Sequence, residues 1–154
     1  MTRHLWRSAA ATRPARTLAL LGLLTVGAAS LSATPRVRDW AATLAGREGR
    51  KVSGTATAVP TADGKGLDVS VQLTGDTPGA IRPWHVHVGS CAKSGGVFGG
   101  GRAYTPITID AKGNGSAKAT VPAVFADTST YYVNIHDAAA AMSIIVACGD
   151  LTKR

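Results

Sequence analysis

Residues 67–73, "LDVSVQL", place Leu67, Val69, Val71 and Leu73 at every second position, with polar residues between them. A period of two puts the apolar side chains on one face of an extended strand and the polar ones on the other. Turn signals bound the stretch: "ADGKG" before it and "DTPG" after it. A segment written this way cannot serve as an amphipathic helix, whose apolar residues recur every three to four positions.

The same grammar repeats downstream of Val52. "VSGTATAVPT" is rich in β-branched and small residues, and "AIRPWHVHVG", "AYTPITID", "SAKATVPA", "STYYVNIHD" and "SIIVACGDL" are further strand-like runs. Pro83 inside the third predicted strand implies a sheet edge or a bulge, and "AKGNG" reads as a hairpin turn between "AYTPITID" and "SAKATVPA". "SCAKSGGVFGGGR" reads as a glycine-rich loop, and "AAAAM" as the one short stretch with helical composition. Seven to eight strands with turns at close intervals and no long helical period predict an all-β domain. The expected architecture is an antiparallel β-sandwich with Greek-key links.

The front of the chain is different. "MTRHLWRSAAATRPAR" is basic and acid-free, "TLALLGLLTVGAA" is thirteen uncharged residues, and small residues follow. This is the three-part pattern of a secretory signal peptide over residues 1–30, too short for a membrane-spanning helix of about 20 residues. The alternative is an uncleaved N-terminal anchor, and both place the domain outside the cytoplasm. Residues 31–51 read as a linker or short helical arm, with Trp40, Ala41, Leu44 and Ala45 forming a small stripe at helical spacing. The domain is then expected over residues 52–154.

Charge narrows the partners. The 154 residues carry a formal +8, but from Val52 onward eight Lys/Arg face seven Asp/Glu, a net of +1. The basic balance belongs to the front end, so no nucleic-acid surface is expected; with the signal peptide removed, no stable membrane span is expected in the mature form. Two cysteines, Cys91 and Cys148, in an oxidising compartment favour one disulfide, and neither has the closely spaced partner of a thiolate metal site.

Against this background the histidines carry the chemistry. His85 and His87 stand one residue apart in a predicted strand and therefore project from the same face. His136, in "YYVNIHD", is the only other histidine beyond the front end. An HxH pair plus a distant strand histidine is the pattern of a three-imidazole metal site, which suits copper and zinc alike. Zinc with an open position would imply hydrolytic or hydration chemistry. Met142 is a candidate axial ligand, and the bland reading of His136 is a strand cap bonded to Asp137.

The stretches "GLDVSVQLTGDTPGAIRPWHVHVGSC", "ITIDAKGNGSAKATVPA" and "YYVNIHD…IIVACGDL" resemble the copper/zinc superoxide dismutase family over about residues 52–151. The resemblance implies a Greek-key β-sandwich, copper ligands at His85, His87 and His136, and a disulfide between Cys91 and Cys148. The departures are equally specific. The loop "AKSGGVFGGGR" has neither histidine nor acid, so no zinc site and no bridging histidine are expected. Ile145 stands where the family carries a substrate-guiding arginine, leaving Arg82 or Arg102 as substitutes by position. The expectation is a secreted or periplasmic, zinc-free copper protein, with superoxide or copper as its small ligand. Its alternatives are a non-catalytic copper-binding or buffering protein, a metal-free binding module, and a zinc hydratase or hydrolase.

Overall fold

The computed structural model describes residues 38–154, and the expected signal peptide lies outside them. Ten strands form two antiparallel sheets. They are β1 (Trp40–Gly46), β2 (Ser53–Pro60), β3 (Leu67–Thr74), β4 (Ile81–Arg82), β5 (Trp84–Gly89), β6 (Ser94–Val97), β7 (Ile107–Thr108), β8 (Gly115–Val121), β9 (Tyr131–His136) and β10 (Ile145–Lys153). Eight of them pair in the order β6-β5-β9-β10-β1-β2-β3-β8 and curl into a half-barrel; β4 and β7 pair separately. The chain runs β1-β2-β3 as neighbours and then jumps from β3 to β5, across the positions of β2, β1, β10 and β9. It crosses back from β8 to β9. These crossovers give the expected Greek-key β-sandwich.

The alternation in β3 sets its face as expected: Leu67, Val69, Val71 and Leu73 are buried while Asp68, Gln72 and Thr74 are exposed. They join a single core with Trp40, Leu44, Ala56, Ala58, Trp84, Val86, Val121, Val133, Ile135 and Val146. Trp84 is 1% exposed, and its indole N–H donates to the Thr105 carbonyl at 2.8 Å, so its one polar group is satisfied.

Three local expectations are corrected. Residues 40–46, expected in a linker or helical arm, form β1, which lies between β10 and β2 inside the large sheet. Trp40, Ala42 and Leu44 point into the core at a period of two, and the ladder from Trp40–Ala58 to Ala45–Ser53 satisfies the backbone. Tertiary pairing thereby overrides the helical preference of an alanine-rich stretch. The domain boundary accordingly lies before Trp40 rather than at Val52.

The second correction concerns "AKGNG". The turn forms, with the Asp110 carboxylate accepting from Lys112 and Asn114 N–H groups. Its flanks do not pair as a hairpin: β7 pairs with β4, and β8 pairs with β3. The third is the glycine-rich loop, part of which forms β6 on the edge beside β5. Pro83 acts as expected. It lacks an N–H, and the ladder breaks there between β4 and β5.

Candidate metal centre

Strand β5 runs antiparallel to β9 with His85 opposite Asn134 and His87 opposite Tyr132. His136 is two residues beyond Asn134, on the same outward face, and so sits diagonal to His85. Its backbone is placed by the strand break itself: the His136 N–H donates to the Pro83 carbonyl at 2.8 Å. All six residues of β9 are buried, because the core covers one face and the loops after β5 and β9 cover the other.

One ring nitrogen from each of His85, His87 and His136 lies within 4.8 Å of the others, a group that can hold a metal ion. The hydrogen bonds assign the nitrogens. His136 donates from Nδ1 to the Met142 carbonyl at 2.6 Å, which leaves Nε2 with a free lone pair. His87 donates from Nδ1 to the Gly95 carbonyl at 3.0 Å, and its Nε2 is buried without a partner among the described residues. His85 presents Nδ1, 3.2 Å from His136 Nε2. In the metal-free triad that nitrogen carries the shared proton, and ligation requires His85 to hold its proton on Nε2 instead.

A buried nitrogen with a free lone pair is costly unless something satisfies it. His87 Nε2 is such an atom, and a cation between the three imidazoles would satisfy it. The carbonyls of Gly95 and Met142 orient two of the rings in the way metal-bound histidines are commonly held. Electrostatics point the same way. Burial and the neighbouring His136 and His87 rings push His85 down to about 4. Burial also lowers His136, against the opposing effect of its bond to Met142. Both are therefore neutral imidazoles at pH 7, the protonation state that ligates metals.

The surroundings are mixed. Tyr104 packs edge-on against His85 with centroids 5.4 Å apart, and burial raises its phenol to about 12, so it stays protonated. Its hydroxyl donates to the Phe98 carbonyl at 2.8 Å. Tyr132 stacks on His87 with centroids 5.2 Å apart. On the other side lies Gly101, where an added Cβ would stand 3.7 Å from His85 Nε2, so a small residue leaves this side of the ring lightly covered.

The structure brings together all three predicted histidines and joins Cys91 to Cys148 with Cα atoms 5.9 Å apart. The disulfide fits an oxidising, extracytoplasmic location, and no helix among the described residues is long and apolar enough to cross a membrane. His136 bonds Met142 and not Asp137, and Met142 contributes a backbone carbonyl while its side chain is 37% exposed. Arg82 is withdrawn from any guiding role. It is 6% exposed and forks onto Asp76 at 2.8 and 2.7 Å, with Nη1 on Asp137. Arg102 is exposed in a short 3₁₀ turn, Gly101–Ala103, beside the site. Nothing in the residue pattern signals the Gly95 and Met142 carbonyls, since every residue carries one, nor does it single out Tyr104 or Tyr132. No family model and no curated protein matches the chain.

Proposed function

We propose that this chain is an extracytoplasmic copper-binding protein of the superoxide dismutase-like kind, exported by its N-terminal signal peptide. The observation that supports it best is the convergence of three imidazoles, one with a buried, unpartnered Nε2. Cys91 is held in a disulfide, so the donor set is three nitrogens without thiolate, which departs from electron-carrier copper sites. Bound copper would supply the one-electron couple that oxidises one superoxide to dioxygen and reduces another, with two protons, to hydrogen peroxide. The chain's own part is to hold His87 and His136 by their Nδ1 protons and to keep His85 neutral. Tyr104 and Tyr132 wall the rings with apolar surface.

A second reading, copper holding without turnover, draws support from Arg82. Its guanidinium is committed to Asp76 and Asp137, and Ile145 carries no charge, so neither supplies a free cation for an anionic substrate. One experiment separates the readings. The oxidised protein is titrated with copper and zinc, and metal content, the copper electron paramagnetic resonance spectrum and superoxide removal are measured. His85→Ala and His87→Ala serve as controls. Stoichiometric copper with nitrogen hyperfine structure, lost in both variants, is expected, together with superoxide removal above both controls. Copper uptake with no excess removal would leave the holding reading, and no stoichiometric copper uptake would end both.

A further inference from the structure

Beside the triad, and separate from it, lies a cavity of about 160 Å³ between the outer face of β9–β10 and the β1–β2 loop. Arg47, Glu48, Ser94, Tyr132, Asn134, Ser143 and Ile145 line it together with the Cys91–Cys148 bridge. One of its lining residues carries a buried polar group that the fold leaves unsatisfied. Tyr132 is 1% exposed, and its hydroxyl has no hydrogen-bond partner among the described residues. Asn134, 6% exposed, adds a second buried polar side chain.

Arg47 is exposed at the cavity, and its main chain is held in place on both sides. The Arg47 N–H donates to the Val146 carbonyl at 3.0 Å, where an extra residue in β10 breaks its register with β9. The Arg47 carbonyl accepts from Arg50 N–H, and Glu48 turns the chain with a φ of 53°, the one positive φ at a non-glycine among the described residues. A glutamate in that region is strained. Strain of this kind is retained where surrounding contacts over-determine it. Among the described residues Arg47 makes no salt bridge, unlike Arg38, Arg50 and Arg82.

The lining is thus rich in donors: a guanidinium, a phenol, two serine hydroxyls and a carboxamide, with one carboxylate, Glu48, as the opposing charge. A buried donor without an acceptor costs free energy that a ligand acceptor recovers, and a planar guanidinium recognises two oxygens at once. We propose that this cavity binds a small oxyanion, a carboxylate or phosphate group, with Arg47 as its charge partner and the Tyr132 hydroxyl as its buried donor. The site does not use the metal and does not depend on the copper reading.

The test uses the oxidised, metal-free full chain at pH 7 and constant ionic strength. Sodium phosphate and sodium acetate are titrated separately, with chloride as the reference anion, and amide chemical shifts are followed by NMR. Saturable, one-to-one shifts at Arg47, Tyr132 and Asn134 are expected from at least one of the two, and the arm that saturates identifies the anion. Arg47→Gln should weaken binding tenfold or more, and Tyr132→Phe, which keeps the ring on His87, at least threefold. His85→Ala should leave it unchanged. Absence of saturation with both anions would overturn the proposal, as would binding that survives Arg47→Gln undiminished.

Discussion

Replacing Arg82 by methionine tests the physical reasoning about this fold most directly. The guanidinium is 6% exposed and its partner Asp76 is 7% exposed. Arg82 donates to both Asp76 oxygens, at 2.8 and 2.7 Å, and to the Asp137 carbonyl and carboxylate at 2.6 and 2.8 Å. Methionine keeps much of the volume and removes every one of these bonds, leaving the Asp76 carboxylate buried with only the Thr77 N–H. Breaking a buried ion pair from one side costs about 3–5 kcal/mol, because the remaining charge loses its compensation. Arg50 offers the internal comparison. It reaches the same Asp137 at 3.3 Å, but both side chains are about one-third exposed, so Arg50→Ala should cost under about 1 kcal/mol. Urea unfolding at pH 7 reads both as changes in midpoint at constant slope. Asp76→Asn in the Arg82→Met background should recover part of the loss, since it removes the isolated charge. A loss for Arg82→Met no larger than that for Arg50→Ala, with unchanged slope, would refute the argument that this pair sustains the fold. Because Asp137 follows His136, the same variant should also weaken any metal uptake by the three histidines, read as an increased dissociation constant.

Two further outcomes follow from the histidines and the disulfide. His85 has its folded pKa depressed, to about 4 from an ordinary 6.5. Below about pH 6.5 the unfolded chain takes up a proton that the folded chain refuses, so the metal-free protein should lose stability steadily between pH 6.5 and 4. His85→Gln should flatten that slope in thermal melts, and an identical slope in wild type and variant would remove the assignment. The Cys91–Cys148 bridge spans 57 positions, and closing a loop of that size stabilises by about 4 kcal/mol in the chain-entropy account. Reduction, or paired replacement by serine, should therefore lower the unfolding free energy obtained from urea titration by most of that amount; a change below about 1 kcal/mol would show that the loop is already constrained without it.

Residues with a strict local period are legible in the sequence alone. The alternation of Leu67, Val69, Val71 and Leu73 sets one strand and its buried face, and the single-residue spacing of His85 and His87 sets a shared face. The cysteine pair is legible because so few cysteines leave little choice. Strand β1 is not, because Trp40, Ala41, Leu44 and Ala45 fit helical spacing while Trp40, Ala42 and Leu44 fit a strand, and alanine fits both. Only the place between β10 and β2, which needs a strand to complete two ladders, decides between them. The pairing of β4 with β7 and β8 with β3 is hidden for a related reason: a good turn specifies reversal of the chain, not which sheet each arm joins.

For the site, the sequence by itself singled out the candidate donors: three imidazoles on strands, with two cysteines more apt to pair with each other. That information is local, carried by side-chain type and by the two-residue period of the strand. The tertiary structure decided which nitrogen each imidazole offers, because the Gly95 and Met142 carbonyls that take the Nδ1 protons belong to backbone brought in from elsewhere. It also decided the fate of the arginines. Arg82 is buried between two carboxylates, while Arg47, without a salt bridge among the described residues, lines a donor-rich cavity, a difference set by which charges the fold brings within reach.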